Sequence, residues 1–168
     1  MKIAIDACSI ILLAKATILE TFANNYGLFI TDRVYKEILE GKDKKFADAL
    51  LTERLVREGK IKINKVEDKK IMDRLIDDFN LGSGEAETLA LALDKKCDVV
   101  CTDNKQGRKT AMIYNLELVG SIEVVIALCN RKLIDKEKSI SALKELKEFG
   151  WFQDYLIDNA LESVNRGG

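Results

Sequence analysis

Lys2-Ile3-Ala4-Ile5-Asp6 is a short apolar run that ends in an acid, and Asp98-Val99-Val100-Cys101-Thr102-Asp103 repeats that arrangement far along the chain. Three further runs, Leu28 to Ile30, Ile61 to Ile63 and Glu117 to Val119, also read as strands. Helix-like stretches separate them. Thr31 is placed to cap a helix through about Glu40. Ser83 is placed to cap another, in which Ala86, Leu89, Ala90 and Leu93 recur at helical spacing. Asn104 to Tyr114 follows the Asp98 run, and Ile122 to Arg131 follows the Glu117 run. Strands alternating with helices imply an α/β chain whose parallel sheet is covered on both faces.

After about Arg131 the strand pattern stops. Two helices are expected there, Lys136 to Phe149 and Asp154 to Ser163, with Gly150 as the C-cap between them. Leu156, Ile157, Ala160, Leu161 and Val164 form one apolar stripe on the last. That stripe either covers the core or forms an association surface.

Composition narrows the chemistry. The 168 residues include no histidine and no proline. Without histidine, Ser-His-Asp triads, Cys-His dyads, His-ligated zinc and a His general base are excluded. Catalysis is left to carboxylates, lysines, hydroxyls and thiols. With 27 basic and 28 acidic residues the net charge is -1, so no global basic field attracts nucleic acid. A nucleic-acid ligand would need a local basic patch or bound cations. Cys8, Cys97, Cys101 and Cys129 make no C-x-x-C pair and read as small buried side chains. Reduced thiols fit the cytoplasm. Asp6 interrupts any apolar signal region, and apolar runs such as Val124 to Cys129 fall short of the roughly 18 residues a membrane span needs. No membrane association is expected.

In open parallel sheets ligands bind beyond the carboxyl ends of the strands, where Asp6 and Asp103 stand. Glu85 follows Leu81-Gly82-Ser83-Gly84 and opens an amphipathic helix, where an acid also favours the helix dipole. Glu87, two residues on, lies about 200° around that helix, so the two do not share one target easily. Glu37 lies within Val34-Tyr35-Lys36-Glu37-Ile38-Leu39 and by itself reads as a helix-surface charge. Four converging carboxylates repel and raise one another's pKa values unless a cation intervenes. Mg²⁺ takes such oxygen ligands and can polarise a phosphodiester.

Taken in order, Ile5-Asp6-Ala7-Cys8-Ser9, Val34-Tyr35-Lys36-Glu37-Ile38, Gly84-Glu85-Ala86-Glu87-Thr88-Leu89-Ala90-Leu91-Ala92 and Val99-Val100-Cys101-Thr102-Asp103 resemble the PIN domain. The Gly84 to Ala92 segment is similar to a GEAEA-type subgroup, as is Asp103-Asn104-Lys105-Gln106-Gly107-Arg108-Lys109. The resemblance implies a three-layer α/β/α sandwich with a central parallel sheet. It covers about residues 1–130, which leaves 131–168 as a helical extension packed on the same domain. It implies an endoribonuclease dependent on Mg²⁺ or Mn²⁺, leaving a 3′-hydroxyl and a 5′-phosphate. Asp6, Glu37, Glu85 and Asp103 become the catalytic metal ligands, although many members have Asp where this chain has Glu85. Ser9, Asn104, Lys105 and Arg108 become candidates for binding substrate, with Lys109 beside them. Many relatives are VapC-like toxins, which implies RNA as substrate and a small antitoxin as partner; a homodimer through the tail is the other expected assembly. The alternative is a PIN-fold module that binds RNA or protein with little or no turnover. D-x-D phosphatases and response-regulator receivers fit worse, because Cys8 and Ala7 stand where their acids belong.

Overall fold

A computed structural model describes residues 1–40 and 47–166. From the N-terminus come β1 (Lys2–Ile5), α1 (Ala7–Lys15), α2 (Leu19–Asn25), β2 (Gly27–Ile30), α3 (Asp32–Leu39) and α4 (Ala47–Arg57). Then follow β3 (Ile61–Ile63), α5 (Lys69–Phe79), α6 (Ser83–Asp94), β4 (Val99–Cys101) and α7 (Lys105–Ile113). The chain closes with β5 (Glu117–Val119), α8 (Ser121–Asn130), α9 (Lys136–Phe149) and α10 (Asp154–Arg166). All four strand pairings are parallel, in the order β3-β2-β1-β4-β5.

The central strand shows why both faces are covered. Side chains alternate across a strand. Ile3 and Ile5 enter one apolar cluster with α1, α8, α9 and α10, while Ala4 enters a second with α5, α6 and α7. Val99 and Cys101 join the first cluster and Val100 the second. A strand buried on both sides is therefore apolar throughout, as β1 and β4 are. This is a three-layer α/β/α arrangement.

The last two helices close one layer. Ile157, Ala160 and Val164 are buried in the same cluster as Leu143 and Leu146 of α9 and Leu128 of α8. The stripe on α10 is thus mainly core cover, with Leu156 left exposed. Gly150 does cap α9, but with φ -102 and ψ 159 rather than the left-handed turn common for a capping glycine. Glycine is needed for space: a Cβ there would lie 2.3 Å from Cε2 of Phe152 and 2.8 Å from the Leu146 carbonyl oxygen.

The chain runs from β1 outward through β2 and β3, then returns to place β4 on the other side of β1. The strand order reverses between β1 and β4, and the crevice beyond their carboxyl ends is the expected ligand position of such a sheet. Among the described residues no single helix is long and apolar enough to cross a membrane; α1 and α2 reach that length and apolarity only together, as a pair bent by 116°.

Candidate active site

β1 and β4 carry the first and last acids to one edge. Ile5 is in register with Cys101, and the Asp6 backbone N–H donates to the Cys101 carbonyl at 3.3 Å. Asp6 then caps α1, its Oδ1 accepting from the Ser9 backbone N–H at 2.8 Å. Asp103 lies two residues beyond β4, because the strand ends at Cys101 and not at Thr102. Ser9 joins the two acids: its hydroxyl donates to Asp103 Oδ2 at 3.3 Å. Ser9 is fully buried, so it positions acids rather than lining the cleft.

Glu85 reaches the same edge from α6. The cap of that helix is Gly82, one residue earlier than the sequence suggested, and Glu85 Oε2 accepts from the Gly82 N–H at 3.2 Å. Glu37 comes from α3, whose Thr31 cap accepts from the Val34 N–H at 3.2 Å as expected. The side chain of Glu37 lies close over Gly84, with Oε2 3.2 Å from where a Cβ on that glycine would stand. Glu87 turns away from this edge and pairs with Arg33 at 2.9 Å, as its angular separation from Glu85 requires.

Asp6, Glu37, Glu85 and Asp103 line one cleft of about 740 Å³, shared with Cys8, Lys15, Asn104, Lys105 and the α9–α10 loop. Burial raises the Asp6 carboxyl above its ordinary range; hydrogen bonds with Thr102 and Ser9 oppose the shift, and the Glu85 charge adds to it. Burial likewise raises Asp103, against hydrogen bonds from Ser121, with the Asp6 and Glu123 charges raising it further. Glu37 is raised by burial and by the charges of Asp6, Glu40 and Glu85. Cys8 registers the convergence: burial and then the charges of Asp6, Asp103, Glu37 and Glu85 push its thiol up to about 11. Among the described residues no ion pair involves any of the four acids.

The all-oxygen donor set and its mutual repulsion, offset in part at Glu37 by the Arg33 charge, fit a hard divalent cation. The spacing is looser than direct ligation by three groups: among the described residues no cluster of three or more Asp, Glu, Cys or His is close enough to hold a metal ion. Two contacts account for part of this. Glu85 is folded back onto its own helix cap, and Asp103 is held by Ser121 through the backbone N–H at 2.9 Å and the hydroxyl at 2.5 Å.

The remaining candidates divide. Lys105 lines the cleft, as does Asn104, whose Oδ1 caps α7 by accepting from the Gln106 and Gly107 N–H groups at 2.7 and 2.9 Å. Arg108 is tied to Glu123 at 3.1 Å and to the Thr102 carbonyl at 3.2 Å, and Lys109 is exposed away from the lining. Ser121 and Gly120 were not anticipated. A Cβ on Gly120 would fall 2.5 Å from Asp103 Oδ1 and 2.7 Å from Glu123 Oε2, so any other residue would push these carboxylates from their present positions. The signal was a Gly-Ser step directly after the fifth strand, at the same edge where Asp103 follows the fourth.

A family model described as DUF3368: PIN domain matches residues 2–166. No curated protein and no solved structure matches the chain.

Proposed function

The chain belongs to the PIN-domain family, whose fold is of nuclease type, and from that premise we propose that it is a divalent-metal-dependent endoribonuclease. The observation that carries this reading is the convergence of Asp6, Glu37, Glu85 and Asp103 on one cleft at the strand-order reversal, with no basic side chain paired to any of them among the described residues. Asp6 and Asp103, with Glu85 and Glu37, would hold Mg²⁺ or Mn²⁺. What that ion supplies when bound is Lewis-acid polarisation of the phosphodiester and a nucleophile at neutral pH. Water adds across the P–O3′ bond, leaving a 3′-hydroxyl and a 5′-phosphate.

The protein's own groups prepare that step. Ser9 and Ser121 fix the Asp103 carboxylate from two sides. Asp6 is held by the first turn of α1, so its position is set by the helix and not by a flexible loop. Lys105 and Asn104 present donors at the cleft for phosphate oxygens. Should the chain be the toxin of a cytoplasmic pair, its small antitoxin would have to cover this same mouth.

The test is Mn²⁺- or Mg²⁺-dependent cleavage of single-stranded RNA by wild type and by Asp6→Asn. Cleavage by wild type, lost in the variant and in chelator, is expected. Equal cleavage by both would overturn the assignment. Mn²⁺ binding without cleavage of any RNA pool would favour the binding module.

A further inference from the structure

The acidic cleft has an aromatic rim. Phe149, Trp151 and Phe152, from the end of α9 and the loop before α10, line it together with the four acids. Phe152 packs against the core, whereas Trp151 is 103% exposed and Phe149 is 45% exposed. Folding gains nothing from an indole left wholly in water. Yet the loop is built to leave it there. Only glycine at 150 lets the Phe152 ring fold back over the end of α9, where a Cβ would meet it at 2.3 Å. That inward turn of Phe152 leaves its neighbour Trp151 outside.

Cations sit among these rings. Lys15 Nζ stands 4.5 Å from the Phe149 ring centroid, and Lys15 and Lys105 both line the cleft. Aromatic faces for bases beside cations for phosphates are how proteins hold single-stranded nucleic acid. A base within a duplex has both faces covered by its neighbours, so an open indole selects an unstacked base. The rings share the cleft with Ile11 and Leu12 as well as with Lys15, Lys105 and the four acids, and it is these charges beside the rings that favour a nucleic-acid strand over an apolar protein hot spot.

We infer that Trp151 is a stacking platform for a nucleobase of single-stranded RNA next to the phosphate held at the acids, with Lys15 and Lys105 contacting flanking phosphates. The inference rests on the nuclease reading and deepens it by naming the residue that would read an unpaired base beside the acids.

Trp151 is the only tryptophan, so its emission reports on this loop alone. The experiment titrates the full chain in Mn²⁺ with a ten-nucleotide single-stranded RNA whose phosphorothioate linkages resist cleavage, the matching duplex, a single-stranded DNA of the same sequence and an abasic oligonucleotide, each with the same linkages. Saturable quenching by the single-stranded RNA, and none by duplex or abasic strand, is expected. Trp151→Ala should weaken single-strand binding roughly 5- to 150-fold, the range of one lost stacking contact. Trp151→Phe should retain most of it, and abasic binding should not change. An unaltered melting temperature checks that Trp151→Ala folds.

Wild-type affinity in Trp151→Ala would overturn the platform while leaving the nuclease assignment intact. Metal-dependent cleavage absent from wild type would instead overturn that assignment. An emission change that tracks protein concentration without RNA would mark a self-association surface and overturn the platform. Equal quenching by DNA and RNA would keep the platform and overturn the restriction to RNA.

Discussion

Asp6→Asn should raise the stability of the metal-free protein while abolishing its activity. Asp6 is 5% exposed, and burial together with the Glu85 charge holds its carboxyl above the ordinary 3.8. A carboxyl with a raised folded pKa binds more protons folded than unfolded through that window, so stability falls as pH rises. The penalty is absent below about pH 4 and complete above the folded pKa. Asparagine removes the charge and keeps the contacts. Its Oδ1 accepts from the Ser9 N–H, the 2.8 Å cap that Asp6 makes now, and Asn and Asp are comparable caps. Its amide faces the Thr102 hydroxyl, which turns from donor to acceptor. Relief of one buried, unpaired charge should be worth about 1 kcal/mol. For a chain of this size that is a rise in melting temperature of about 2–4 °C. Thermal melts in chelator at pH 7.5 should show the gain, and melts near pH 4 should show it vanish. Mn²⁺ should raise the wild-type midpoint more than that of the variant. A variant melting below wild type at pH 7.5 in chelator, or a gap that persists at pH 4, would refute the charge-repulsion argument.

Two further outcomes follow from the contacts around the acids. Ser121→Ala keeps the backbone bond to Asp103 but loses the 2.5 Å hydroxyl bond, which should cost about 1.5 kcal/mol in urea unfolding. It should also raise the Asp103 pKa and move the acid limb of the pH–rate profile upward; an unmoved limb would show that the hydroxyl does not tune Asp103. Cys8, exposed at the cleft but with its thiol pushed from 9.0 to about 11, should react with maleimide at pH 7.5 about 10-fold more slowly than a thiol of ordinary pKa, because its scarcer thiolate is partly offset by greater nucleophilicity. Asp6→Asn should speed the reaction, as followed by mass spectrometry against a Cys8→Ser control.

Much of the sheet was legible because its strands are buried on both faces. Ile3-Ala4-Ile5 and Val99-Val100-Cys101 stand out as apolar runs for that reason, and the acids just after them mark the edge. Helices α3, α7 and α9 were legible too from their polar faces, although of their caps, Thr31, Asn104 and Asp135, only Thr31 was read as one. The first helix was not. Ala7, Ser9, Ile10, Leu12, Leu13 and Ala14 are all buried, and the accessible stripe of α1, Cys8, Ile11 and Lys15, is itself mostly apolar, so its sequence shows no polar face. α5 was also unread, although Asp68 caps it by accepting from the N–H groups of Lys70 and Ile71.

The same distinction governs the site. Asp6, Asp103 and Glu85 could be read from sequence because strand ends and helix starts are local features, whereas Glu37, inside α3, stood out only through the family resemblance. Their supports could not, because each joins elements distant in sequence: Ser121 from the start of α8 holds an acid beyond β4, and Ser9 in α1 reaches that acid from beside β1. Gly120 has no local need for glycine, since its φ of -111 suits any residue; the requirement comes from the Asp103 carboxylate that a side chain would strike. Trp151 follows the same logic in reverse. Nothing local in Phe149-Gly150-Trp151-Phe152 distinguishes the aromatics, and only the Phe152 ring folded against Gly150 shows which one is packed and which is left at the cleft. Chemistry-bearing residues were therefore found by position along the chain, whereas the groups that orient them depend on contacts that exist only once the sheet has brought β1, β4 and β5 side by side.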